Sequence, residues 1–375
     1  MSEYSNQGSF LMTPGPVTLS DTVRKALSNE IIFHRYSSFE SLFEDTCNLL
    51  HTILDTTPEH QVLILTGTGT LANESAISSV FNENDRLLML SNGDFGERLI
   101  TMASMHGIPH KSLRYEWGEE IDCRQVEHLL CSEKFTGIVM VGLETSTGMS
   151  NPVEEIGLLS EKYRLIYFLD AVSAIGSEYI SVKDDNIDVC ITVPNKGIGG
   201  PPGLGVVALS PAAVRNAERN KGRSMYLDLN RYLDFARKRQ TPTTPAVSLF
   251  YGLKAALTEL KEETVDRRIL RYQENTAFIL DRLQQFGVTP FVKNSSARSN
   301  AVLTLSFPDY IDIVDMHNHF IKNGITLWKP LHPGPLKPYN CMQLSVMGAV
   351  RKSQIMKFLD LFEDYVKTLV PEVKA

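Results

Sequence analysis

A chain of 375 residues, 43% of them hydrophobic, can build one large domain with its own core and a smaller one beside it. A net charge of -7 with no Lys/Arg-rich block argues against a nucleic-acid partner, and no apolar run reaches the length of a membrane span. Five dispersed cysteines with no C-x-x-C pair argue against disulfides and a zinc site, and "MSEYSNQGSF" has neither the basic start nor the apolar core of a signal peptide, so a cytoplasmic protein without metal is expected.

In chain order, residues 1–20 with "LMTPGPVTLS" form an extended arm, expected to pack across a domain junction. From residue 61 onward apolar runs alternate with helical patterns. "QVLILTG" (61–67) precedes the helix-like "TLANESAISSVF", and "RLLMLSNG" (86–93) precedes "FGERLITMASMHG". "GIVMVGLE" (137–144) precedes "VEEIGLLSEKY", after which come "RLIYFLD" (164–170), "DVCITV" (188–193) and "GVVAL" (205–209). Near-continuous apolar runs suit strands covered on both faces, and their alternation with helices implies right-handed crossovers in a mostly parallel sheet. Ligands of such sheets lie beyond the carboxyl ends of the strands.

Past residue 245 the pattern changes. "AVSLFYGLKAALTELKEE" and "RILRYQENTAFILDRLQQFG" predict two long helices, with a long helix near 246–285 as the link to a second unit. A strand (301–307), the helix "DIVDMHNHFIKNG", short strands near "ITLW" and "CMQLSVMG", and a last helix follow. The predicted class is α/β: a mostly parallel central sheet flanked by helices, plus a smaller α+β C-terminal domain. The expected boundaries are 1–20 for the arm, 21–260 for the large domain and 261–375 for the small one.

Five features fall at the strand ends. Lys196, in "VPNKGIGGPPGLGVVAL" (193–209), is a lone cation in a Gly/Pro turn between two apolar runs; a solvated turn lysine is the plain alternative. "TGTGTLANESAI" (66–77) offers backbone N–H groups, hydroxyls and a helix N-terminus that suit a phosphate, or else it is a threonine-capped turn. It lacks the Gly-Lys-Ser/Thr of a P-loop. Asp170, ending the run in "YFLDAVSAIG", is a helix cap or the partner of a buried cation. Phe95 in "NGDFGERL" is a core ring or one lying over a flat ligand. Thr145, Ser146 and Thr147 in "LETSTGMSNP" are more hydroxyls than capping one helix needs. Together these are the requirements of pyridoxal 5'-phosphate (PLP): an amine for a Schiff base, a carboxylate that keeps the ring nitrogen protonated, a phosphate cradle and a stacking ring.

From "TPGPV" to "VMG", nearly its whole length, the chain resembles the class V aminotransferases of the aspartate-aminotransferase fold. "ETSTGMSNP", "LDAVSAIGS" and "PNKGIGGPPGLGVVALSP" are most similar to 2-aminoethylphosphonate–pyruvate aminotransferases, whereas "FHRYSSFESLF" is similar to alanine–glyoxylate and serine–pyruvate enzymes. The resemblance implies that Lys196 is the Schiff-base lysine and Asp170 the partner of the ring nitrogen. It implies that Thr68, Gly69 and Thr70 bind the phosphate, that Phe95 stacks on the ring and that Thr145 lies near the ring oxygen. "QTPTTPAV" resembles a segment that crosses a dimer interface, which implies a homodimer with a shared active site and Thr244 on the neighbouring subunit's cofactor phosphate. The implied reaction moves an amino group from a small amine, 2-aminoethylphosphonate or a relative, to pyruvate or a similar oxo acid.

One position departs from the family pattern. Gln343 in "QLSVMG" stands where relatives carry an arginine that grips the substrate's carboxylate or phosphonate. Loss of a charge-assisted pair costs roughly 1.5–3 kcal/mol. Either another cation substitutes (Lys329, His332, Lys337 or Arg35), or the substrate's anion is held elsewhere, or the scaffold runs a PLP-dependent elimination or decarboxylation.

Overall fold

The computed structural model describes residues 9–220, 224–328 and 340–369. Lys329, His332 and Lys337 lie outside them. Side-chain alternation within each apolar run builds the central sheet. In the strand Gln61–Thr66, Val62 and Ile64 join one buried layer while Leu63 and Leu65 join the other. The strand Ile166–Asp170 repeats the pattern, with Tyr167 and Leu169 on one face and Phe168 on the other. With both faces buried, polar positions are confined to the strand ends.

The seven strands stand in the order Gln61–Thr66, Leu204–Leu209, Val189–Thr192, Ile166–Asp170, Gly137–Val141, Leu87–Ser91 and His110–Arg114. All neighbours are parallel except that Leu204–Leu209 runs antiparallel to both of its own. The helices Gly69–Val80, Asp94–Met105, Pro211–Arg219 and Leu229–Ala236 pack on one face. The helices Ser37–Leu54 and Val247–Glu263 contribute to the core on the other. Two of these elements were not read from the sequence. His110–Arg114 is a polar edge strand of mixed burial with little alternation, whereas Ser37–Leu54 carries a buried stripe at helical spacing (Phe39, Leu42, Phe43, Leu50, Ile53) that was legible.

The two long helices predicted past residue 245 are Val247–Glu263 and Val265–Gln284; the expectation of one linking helix across 246–285 is corrected, because the chain breaks at Thr264, whose φ of 70° no continuous right-handed helix admits. The strands Thr289–Pro290, Val302–Ser306 and Cys341–Ser345 form a second, antiparallel sheet. The N-terminal arm joins this side of the molecule. Phe10–Leu11 pairs with Ile325–Thr326, and the Met12 carbonyl accepts from the Ser345 N–H at 2.9 Å. Among the described residues no helix is long and apolar enough to cross a membrane.

Candidate active site

The carboxyl ends of the parallel strands, the start of Leu204–Leu209 and the N-terminal arm converge on one cavity of about 230 Å³. Six of the residues singled out from the sequence line it: Thr68, Gly69, Thr70, Phe95, Asp170 and Lys196. Thr145 is buried nearby and donates to the Ser173 hydroxyl at 2.6 Å. Thr244 is exposed and lines a different cavity together with the 31–34 segment.

Lys196 sits in an irregular turn, Pro194–Ile198, with φ -126° and ψ -130°. Buried groups distant in sequence hold that turn. The Arg268 guanidinium, paired with Glu263 at 2.6 Å, donates to the carbonyls of Gly197 (3.3 Å) and Ile198 (3.0 Å). Gly197 has no room for a side chain, since an added Cβ would lie 2.4 Å from the Ile175 carbonyl oxygen. The arm closes over the lysine, and the Lys196 amine donates to the Pro14 carbonyl. Gly15, at φ 125°, is a required glycine: a Cβ there would lie 2.8 Å from Lys196 Nζ.

Asp170 is 5% exposed and its carboxylate is held at both oxygens, by the Val172 N–H at 3.0 Å and the Asn73 side-chain amide at 2.7 Å. Burial pushes its carboxyl above the ordinary range, opposed by these donors and by the charges of Arg98 and Lys196. Thr68 caps the helix Gly69–Val80 by accepting from the Leu71 N–H at 3.3 Å. The N–H groups of Gly69 and Thr70 make no hydrogen bond among the described residues and belong to the positive end of that helix. A Cβ on Gly69 would lie 2.9 Å from Val172, so the backbone itself forms this wall. Phe95 projects from the first turn of Asp94–Met105, with the Arg98 guanidinium 4.6 Å from its ring centre.

Burial also pushes the Lys196 ammonium down to about 8, with Arg98 adding to the effect and Asp170 opposing it. The folded protein therefore releases this proton before the unfolded chain does. The site costs stability below about pH 8, and the cost fades as pH rises toward the ordinary lysine value of 10.5. In the cofactor-free protein, labelling of Lys196 by a small amine-reactive reagent, read by mass spectrometry, is expected to rise with a midpoint near pH 8. A midpoint near 10.5, like that of a solvated lysine, would contradict the burial described here.

Gln343 takes a structural role. Its amide nitrogen donates to the Thr145 and Ser146 carbonyls and to the Thr304 hydroxyl, the last two at 2.9 Å, and the residue is 2% exposed. Three acceptors already share two hydrogens, so this nitrogen has no donor left for a substrate. Arg35, offered above as a substitute cation, is also committed elsewhere. It binds the Gln240 side chain (2.9 Å) and the Thr241 carbonyl (2.7 Å).

The sequence reading missed Asn73, Arg98, Arg268 and the Pro14 carbonyl. Asn73 and Arg98 had a usable signal, because each lies within about one turn of a residue already singled out, at helical spacing from Gly69 and Phe95. Arg268 and Pro14 had none, since both reach Lys196's turn from distant segments.

The donor set fits PLP: one partly deprotonated amine, one buried carboxylate, a helix N-terminus shaped by glycine, and an aromatic face. Fold and site together define a PLP-dependent enzyme of the α/β type. The family model described as aminotransferase class-V matches residues 22–356. An uncharacterised aminotransferase of Methanocaldococcus jannaschii is 33% identical over 306 residues, covering 81% of this chain and 79% of that one. A 2-aminoethylphosphonate–pyruvate transaminase of Bacillus mycoides is 28% identical, covering 94% and 96%. The structure of an aspartate aminotransferase of subgroup IV from Thermus thermophilus superposes with a TM-score of 0.87 at 28% identity, over 96% of this chain and all of that one. The chain belongs to the class V aminotransferases and is a PLP-dependent aminotransferase.

Proposed function

We propose that the protein transfers an amino group from a small amine, 2-aminoethylphosphonate or a close relative, to pyruvate or a similar oxo acid. The observation that carries this reading is the joint placement of Lys196, Asp170 and the Gly69 helix N-terminus around one cavity. The likeness to 2-aminoethylphosphonate–pyruvate transaminases supports the donor. Bound PLP would supply a carbonyl that takes up the amino group and a ring that spreads the charge left on the substrate carbon. In this reading Lys196 anchors the cofactor and then moves the proton at that carbon, a task suited to an amine whose burial brings it to about 8. Asp170 holds the proton on the ring nitrogen. Thr68, Gly69 and Thr70 receive the phosphate, Phe95 covers the ring and Thr145 supports its oxygen. Thr244 reaches the phosphate of a second subunit in a homodimer with shared sites.

A panel of amines, each mixed with the cofactor-loaded enzyme and no oxo acid, tests the donor through the visible absorbance change of a single turnover. 2-Aminoethylphosphonate is expected to drive the change, and pyruvate to reverse it. A change with alanine or serine but none with 2-aminoethylphosphonate would reassign the donor. One observation favours a second reading, elimination or decarboxylation: Gln343 is neutral, and its side-chain nitrogen is engaged, where the resemblance implies an arginine. Release of ammonia or carbon dioxide without any oxo acid would establish that chemistry.

A further inference from the structure

Glu144 is fully buried, at 0% exposure, just beyond the strand Gly137–Val141, and no step above uses it. Its carboxylate points at the start of the Phe95 helix, Asp94–Met105. One oxygen accepts from the Phe95 N–H at 3.4 Å and from the Ser146 N–H at 3.1 Å. The other accepts from the Gly96 N–H at 3.1 Å. The Ser146 hydroxyl donates to the same carboxylate and accepts from the Asp94 N–H at 3.1 Å. The first three N–H groups of the helix are thus satisfied by a neighbouring strand end, while the helix's own cap residue, Gly93, contributes no side chain. Gly93 has no space for one: its Cβ would lie 2.4 Å from the Glu144 carboxyl carbon. Burial pushes the Glu144 carboxyl up to about 7, opposed by these donors; its ionised form is an anion at a helix N-terminus, which is favourable, and it fixes where the helix begins.

Phe95 is the second residue of that helix and its ring lines the cofactor cavity. We propose that Glu144 is a positioning residue: by gripping the N–H groups of Phe95 and Gly96 it sets the plane in which the Phe95 ring meets the cofactor. The proposal rests on the reading of Phe95 as the stacking residue. Its consequence is a coupling between two side chains that touch only through the backbone.

The test is a double-mutant cycle of Glu144→Gln and Phe95→Leu. The cofactor dissociation constant is measured by titrating the cofactor-free protein, and the induced circular dichroism of the bound cofactor is measured in its visible band. The glutamine keeps the shape but turns one acceptor into a donor facing N–H groups. Glu144→Gln is expected to weaken cofactor binding about five- to tenfold and to reduce the dichroism. In the Phe95→Leu background the same substitution is expected to change both by less than about twofold. Equal effects in the two backgrounds, or no effect in either, would overturn the proposal. If Phe95→Leu alone left both readouts unchanged, the stacking reading would fail first and take the proposal with it. Should Glu144→Gln not fold, Ser146→Ala removes the Asp94 acceptor and one hydroxyl donor to the carboxylate, while the Phe95, Gly96 and Ser146 N–H groups keep their bonds to it. It is expected to show a smaller effect with the same dependence on Phe95, and independence from Phe95 would count against the proposal.

Discussion

Lys196→Ala is expected to abolish amino-group transfer, with a fall of at least about 10⁴-fold, since proton transfer by a positioned side chain alone supplies roughly 10²–10⁴. Two further readouts accompany the loss. The purified wild-type protein is expected to be yellow and, after borohydride treatment, to carry the cofactor's mass on the peptide that contains Lys196. The variant is expected to show neither. The fold is expected to survive. Among the described residues the Lys196 amine makes one hydrogen bond, to the Pro14 carbonyl, and its burial as a cation costs stability at neutral pH. A melting temperature of the cofactor-free variant at pH 7 equal to or above that of the wild type separates a chemical loss from an unfolded protein. Retention of more than about one part in a hundred of the activity would remove Lys196 from the proposed role.

Asp170→Asn is expected to lower the rate about 10²–10³-fold, the size of effect seen when one preorganised electrostatic group is removed from a buried site. The structure makes this substitution an unusually clean test of charge. In the native protein the Asn73 amide donates to one Asp170 oxygen, while the Asn73 side-chain oxygen is buried with no hydrogen-bond partner among the described residues. When residue 170 becomes an amide, a half-turn of the Asn73 side chain presents its oxygen to the new donor. The Val172 N–H keeps its acceptor at the remaining oxygen. Residue 170 therefore keeps both of its hydrogen bonds, with the Asn73 NH2 taking the place of its unpartnered oxygen, and the melting temperature of the cofactor-free protein is expected to shift by no more than a few degrees. The lost negative charge has no replacement among the residues that line the cavity. A rate within about threefold of wild type would show that Asp170 does not face the ring nitrogen.

The arrangement also explains why glycine stands at positions 15 and 197. Gly15 and Gly197 admit no side chain, because Lys196 and the Ile175 carbonyl occupy the space. The arm meets the Lys196 side chain, and the lysine turn meets the backbone of residues 175–177, just past the Asp170 strand. A methyl group at either glycine would push one of them away from the cavity.

The parallel sheet and the position of its loops were legible in the amino-acid sequence. Long apolar runs such as "QVLILTG" and "RLIYFLD" leave polar residues only at strand ends, and a polar residue there has the cavity edge as its only outlet. That logic brought Thr68, Gly69, Thr70, Phe95, Asp170 and Lys196 to one place. Local periodicity carries no information about segments that meet from opposite ends of the chain. It could not show that the Pro14 carbonyl, 182 residues from Lys196, closes over the amine, or that Arg268 anchors the lysine turn. It marked Gln343 as a missing charge. Only the tertiary structure showed the same side chain tying the second sheet to the Thr145 and Ser146 carbonyls. The sequence by itself picked out residues that line one cavity, because their types and strand-end positions are local properties. Tertiary structure decided what orients them, because a buried donor must take whatever acceptor the folded chain brings within reach.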